Sequence, residues 1–176
     1  SRGLGDVYKR QYLSYKTFLS ELDGLTNVMG RKIFLDFCKK IVSQTSSSQS
    51  CFIFIDVDYF KNINDTFGHT AGDKVLKQIA QRLLHNFKNY GKIGRLGGDE
   101  FAIILDQAPS KQELAQKFST FEEEISDLLS ASHKVSCSIG AYYFDTPQDF
   151  QTIYAIADKM LYEAKERGRA CWVINE

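Results

Sequence analysis

Apolar positions recur along the chain with two different periods, and the places where the period changes outline the secondary structure. Between 31 and about 44, Ile33, Phe34, Phe37, Cys38 and Ile41 follow helical spacing, which predicts an amphipathic helix. The serine-rich run 45–50 ends it. Residues 51–56 (CFIFID) form a continuous run of β-branched and aromatic residues, as expected of a buried strand, and it finishes in two acids, Asp56 and Asp58. After a polar turn region, Val75, Ile79, Ala80, Leu83, Leu84 and Phe87 mark a second helix beginning near Gly72. Residues 92–96 and 101–105 read as strands joined by a hairpin connection, Gly97-Gly98-Asp99-Glu100. A third helix is expected over about 110–129. A strand follows over 135–144, with Gly140 either a bulge or a point of close approach. A fourth helix from 150 to about 167 is ended by Gly168, and residues 171–174 close the chain as a short strand. Strands interleaved with helices predict an α/β (α+β) fold, a mixed central β-sheet with surrounding helices.

Length and charge narrow the class. At 176 residues the chain is long enough for one domain with a real core. Lys+Arg 22 balance Asp+Glu 22, which excludes a nucleic-acid binder working mainly through a basic surface, so no nucleic-acid partner is expected. No stretch approaches the ~18 apolar residues that cross a bilayer, and no signal-peptide pattern opens the chain. A soluble, cytoplasmic domain is expected, whether or not a longer protein is membrane-anchored. Cys38, Cys51, Cys137 and Cys171 show no C-x-x-C spacing and are expected to be small buried hydrophobes of a reducing compartment. Residues 1–11 (SRGLGDVYKRQ) have no apolar period and match, codon for codon, a translated transposase adapter used in sequencing libraries. They are set aside as adapter-derived, the alternative being an ordinary polar N-terminal tail. Residues 12–22 (YLSYKTFLSEL) have helical apolar spacing, compatible with the end of a connecting helix or with an ordinary N-terminal helix, and 23–176 form the domain proper.

Two constellations could carry chemistry. Asp56 and Asp58, two apart at the end of a strand, share a face of an extended chain. Such acids suit a hard cation such as Mg²⁺, which takes carboxylate and carbonyl oxygens, or they serve as helix caps or loop acids. At the hairpin tip, Asp99 and Glu100 adjoin Gly97 and Gly98, which have no side chain and let a backbone or a phosphate come close. The plain alternative there is a tight hairpin with solvated acids. Two superficial matches fail. Asp56-Val57-Asp58 starts like an EF-hand loop, but Lys61 stands where the sharp-turn glycine is required. GHTAGDK (68–74) has its glycines one residue too close for a Walker A loop and no Ser/Thr after the lysine.

Taken together, LDGLTNVMGR, FIDVDYFKNINDTFGHTAGDKVL, GRLGGDEFAIIL, SCSIGAYY and ADKMLYEAKERGR resemble, in order and spacing, the GGDEF domain of diguanylate cyclases over about 23–174. The resemblance implies a nucleotidyl-cyclase and polymerase-palm-like fold that condenses two GTP into cyclic di-GMP and two pyrophosphates. It implies two Mg²⁺ per site, with Mn²⁺ a substitute, held by Asp56, the Val57 carbonyl, Asp99 and Glu100. A metal pair can activate a 3′-hydroxyl and neutralise charge on the phosphates. Asp99 would be the proton acceptor or the anchor of the activating metal. Lys61 would stabilise charge on the phosphates, cradled by turn amides near Tyr59 and Phe60. Lys165 and Arg169, one turn apart, would reach the terminal phosphates, unless they are only a solvated basic helix end. Asn64, His69 and Asp73 match nucleoside-binding positions. Asp73 would select guanine, because a carboxylate accepts from N1–H and the 2-amino group, which adenine lacks.

The resemblance also implies a homodimer, since the product needs two nucleotides face to face, and an upstream sensor or receiver module missing from this fragment. Two departures stand out. The family's opening motif resembles D-x-L-T-G-L-x-N-R, whereas this chain has Asp23, Leu25, Thr26, Asn27, Val28, Gly30 and Arg31. At the R-x-x-D product-feedback positions it has Lys88 and Gly91, which lack the planar fork and the acceptor, so that mode of inhibition is expected to be absent. The alternative function is a non-catalytic module that binds GTP or a cyclic dinucleotide. A cyclase of mixed dinucleotides is disfavoured by Asp73.

Overall fold

The computed structural model describes residues 7, 9, 11–14, 16, 20–44, 49–145 and 147–175. Most of the segment read as adapter-derived, and most of the serine-rich run, lie outside the described residues. Residues 12–14, 16 and 20 are helical, and Leu22 already forms a bridge with Met29.

The elements run α1 (Arg31–Ser43), β1 (Ser50–Val57), α2 (Phe60–Phe67), α3 (His69–Phe87), β2 (Gly91–Gly97), β3 (Glu100–Leu105), α4 (Lys111–Ser126), β4 (Cys137–Phe144), α5 (Phe150–Glu166) and β5 (Trp172–Ile174). The five strands lie in the order β2-β3-β1-β4-β5. Every pairing is antiparallel except that of β4 with β5. β1 is central and covered on both faces, which is why its sequence is a continuous apolar run rather than an alternating one. Phe52 and Phe54 pack with Phe34 and Cys38 of α1 and Ile153, Ala157 and Leu161 of α5. Cys51, Ile53 and Ile55 pack with Val75, Ile79 and Leu83 of α3 and Leu114, Phe118 and Phe121 of α4. Edge-to-face contacts of Phe54 with Tyr154, 4.7 Å between centroids, and of Phe52 with Phe150, 5.5 Å, tie β1 to α5. Each such pair contributes about 0.5–1.5 kcal/mol beyond burial.

Several expectations need correction. The polar region after β1 is helical: α2 buries only Ile63, too sparse a pattern to show a period. α3 begins at His69, not near Gly72, with only Gly68 at φ 86 separating it from α2. α4 stops at Ser126 rather than near 129, β4 starts at Cys137 rather than 135, and β5 starts at Trp172. Cys38, Cys51 and Cys137 are buried free thiols, but Cys171 is only half-buried, beside the exposed turn that leaves α5. Gly140 is a point of close approach and not a bulge. Pairing of β1 with β4 runs unbroken through it, and a Cβ there would lie 2.3 Å from the Leu161 amide nitrogen and 2.6 Å from the Ala157 carbonyl oxygen. The glycine therefore lets the α5 backbone rest on the sheet and fixes where the end of that helix emerges.

Candidate active site

The acids meet because of strand register. Asp56, on the last turn of pleat in β1, is the direct partner of Glu100 at the start of β3, and the Val57 amide donates to the Asp99 carbonyl at 3.1 Å. α5, carried over β4 by Gly140, brings Lys165 to the same place, where its Nζ lies 3.0 Å from the Asp56 carboxylate. Burial, the largest cause, pushes the Asp56 carboxyl up to about 6; Lys165 opposes the shift and the charges of Asp99 and Glu100 add to it. Among the described residues no three acid, His or Cys side chains converge closely enough to hold an ion as they stand, and Lys165 is the cation that Asp56 now faces. The donor set still fits a hard divalent cation. It consists of carboxylates and a backbone carbonyl, all oxygen, whose crowded negative charge such an ion would relieve.

The hairpin tip is held from behind. Gly97 and Gly98 have φ 150 and 47, and no atom lies within 4 Å of where a Cβ would stand, so the tip is open on its outer side. Arg95 donates from Nε and Nη2 to the Gly98 carbonyl at 3.0 and 2.7 Å, and from Nη1 to both Asp23 carboxylate oxygens at 3.1 and 3.3 Å. Asp23 also accepts from the Thr26 amide and hydroxyl at 2.9 and 2.6 Å. Although burial works the other way, these donors hold its carboxyl below the usual range. Arg31 donates to the Leu96 carbonyl at 2.9 Å. The opening motif is thus a clamp on the tip. Its departures are accommodated: Asn27 sits at φ 59, a left-handed position that asparagine tolerates, while Gly30 caps α1 without a side-chain bond. Sequence reasoning missed Arg95, because it and Asp23 are 72 residues apart and only the sheet joins them.

On the other side of Asp56 the chain turns through Tyr59, left-handed at φ 53, into the N-terminus of α2 at Phe60. Arg169, also left-handed, lies with its guanidinium 4.7 Å over the exposed Tyr59 ring. Asp58 does not share the face of Asp56, because the strand ends at Val57. Its carboxylate turns inward to Ser136 and Ser138. Lys61 is 88% exposed and paired with Asp65 at 2.9 Å. Asn64 is different: its Oδ1 is buried with no hydrogen-bond partner, and a Cβ on Gly72 would stand only 1.9 Å from it. Next to that glycine, Asp73 lies one turn along α3 from His69, both exposed.

A family model described as diguanylate cyclase, GGDEF domain, matches residues 20–171. The chain belongs to that family. This GGDEF domain is 34% identical over 155 residues to the diguanylate cyclase DosC of Escherichia coli, covering 84% of the chain and 34% of DosC. It is equally identical over 167 residues to the uncharacterized protein YhcK of Bacillus subtilis, covering 90% of the chain and 46% of YhcK. The chain therefore spans a third to a half of the length of these relatives. Among solved structures, the GGDEF domain of DgcB from Caulobacter crescentus, crystallised with c-di-GMP, superposes with a TM-score of 0.79 at 27% identity, over 88% of this chain and 95% of that one. No helix among the described residues of this GGDEF domain is long and apolar enough to cross a membrane.

Proposed function

We propose that this GGDEF domain is a diguanylate cyclase, joining two GTP into cyclic di-GMP with loss of two pyrophosphates. The observation that carries the reading is the intact set of acids at one strand end, Asp56 opposite Glu100 with Asp99 beside them. These three and the Val57 carbonyl would hold Mg²⁺. When bound, the ion would lower the pKa of the attacking 3′-hydroxyl and offset charge on the α-phosphate and the leaving pyrophosphate. Free amides at the start of α2, by Tyr59 and Phe60, receive phosphate oxygens. Lys165, Arg169 and Lys61 meet the remaining charge once Lys165 leaves Asp56 and Lys61 leaves Asp65. Asn64 Oδ1 is a buried acceptor awaiting a donor, and the guanine 2-amino group is one; Asp73 accepts from N1–H and the same amino group. One site takes one GTP, so the reacting species is a two-fold dimer with a half-site from each copy.

The test is product analysis by mass spectrometry after the chain, fused to a dimerising coiled coil, is incubated with GTP and Mg²⁺ beside Asp99→Ala. Cyclic di-GMP from the parent and none from the variant is expected. Intact GTP in both would favour the second reading, a module that binds GTP or a cyclic dinucleotide without turnover. The Asp56–Lys165 pair, in which the carboxylate already faces a cation of the chain's own, is the observation that favours it.

A further inference from the structure

Asp58 stands two residues beyond Asp56, yet it is only 5% exposed. Its Oδ1 accepts from Ser138 Oγ at 2.6 Å, and Oδ2 accepts from Ser136 Oγ at 2.7 Å and from the Ala170 amide at 3.0 Å. Its own amide donates to the Ser136 carbonyl at 2.9 Å. The two serines anchor the carboxylate to the start of β4. The bond from Ala170 does something else. Arg169 and Ala170 have φ 66 and 47, two successive left-handed residues that carry side chains, directly after Gly168 at φ 113. Such backbone is costly and persists only where its surroundings hold it. In this turn the Ala170 amide points inward to Asp58, while the Arg169 guanidinium is carried 4.7 Å over Tyr59, the residue next to Asp58.

We propose that Asp58 is a positioning residue for the triphosphate: by accepting the Ala170 amide, its buried carboxylate holds Arg169 in the left-handed turn that presents its guanidinium at the phosphate end of the site. The inference rests on the reading of this site as one for GTP. A cation whose place is set by the fold loses little freedom when the phosphates arrive, so affinity for the triphosphate, and not for the nucleoside, depends on Asp58.

The experiment compares binding of GMP with that of an α,β-methylene analogue of GTP, which cannot lose pyrophosphate, to the full chain with Mg²⁺ by calorimetry. Asp58→Ala is expected to weaken the triphosphate analogue about tenfold, the scale of one charge-assisted contact, while GMP stays within about twofold. Asp58→Asn keeps an acceptor for Ala170 and is expected to keep the parent ratio. In an Arg169→Ala background, Asp58→Ala should leave the ratio unchanged. If Asp58→Ala does not fold, an ester in place of the 169–170 peptide amide removes the donating N–H without fixing φ at Ala170, and should lose the same ratio. Equal weakening of both ligands, no weakening of either, or full additivity with Arg169→Ala would overturn the proposal. Failure of the GTP reading is seen separately, as a parent chain that does not prefer the triphosphate over GMP.

Discussion

At the scale of single residues, the acids of this domain divide by what surrounds them. Asp23 is lowered by its donors, and Asp56 is raised by burial among acids. Glu122, on α4, is raised further, to about 8: burial is the main cause, the Cys137 amide that donates to it opposes, and the charge of Asp58 adds. An unfolded Glu122 titrates near 4.5, so between pH 4.5 and 8 the folded state retains a proton that the unfolded state has lost. Stability therefore falls as pH rises through that window, by an amount on the order of a few kcal/mol, and levels off above it. Glu122→Gln keeps the acceptor for Cys137 without the charge. Urea unfolding should show the variant gaining on the parent steadily from pH 5 to 8, with little further change above. A constant difference would mean that Glu122 is already charged in the fold at pH 5.

At the scale of elements, the contact of α5 with β4 decides where Lys165 and the turn bearing Arg169 come to lie. It depends on Gly140, where an added methyl would meet helix backbone rather than a side chain that can turn aside. Gly140→Ala is expected to cost about 1–3 kcal/mol by overpacking, read as a lower urea midpoint. Because the helix must lift, binding of triphosphate should weaken with it. An alanine variant of parent stability would show that α5 moves freely over the sheet. The α2 segment teaches the opposite lesson: with only Ile63 buried, its helix is held by the turn at Tyr59 and the junction at Gly68. Most of its polar residues are exposed and add nothing to the core.

At the scale of the whole molecule, the expectation that product feedback of the R-x-x-D kind is absent concerns the α3–β2 side of the domain. Lys88 is the last cap of α3, and Gly91 opens β2, where a Cβ would lie 1.9 Å from the Ile104 carbonyl oxygen. An aspartate cannot stand there without moving β2 from β3, so the feedback motif is excluded by packing as well as by sequence. Initial rates of the dimerised chain, with pyrophosphatase present, should be unchanged by micromolar added cyclic di-GMP. A steep fall in rate with GTP still in excess would require a feedback site built from other residues.

Apart from α2, the order of strands and helices, the buried central strand and the hairpin tip were legible in sequence, because period, turn glycines and motif spacing are local properties. Three-dimensional contact decided the rest. Asp56 meets Glu100 through strand register, Arg95 reaches Asp23 across the sheet, and Asp58 reaches Ala170 from 112 residues away. The spacing of Asp56 and Asp58 suggested a shared face, and only the end of β1 at Val57 separated them into one acid facing the site and one facing the interior. A pattern along a chain reports what each element must bury. Which polar groups then find one another is settled by how the elements pack, since a buried carboxylate takes whatever donors the packing brings within reach.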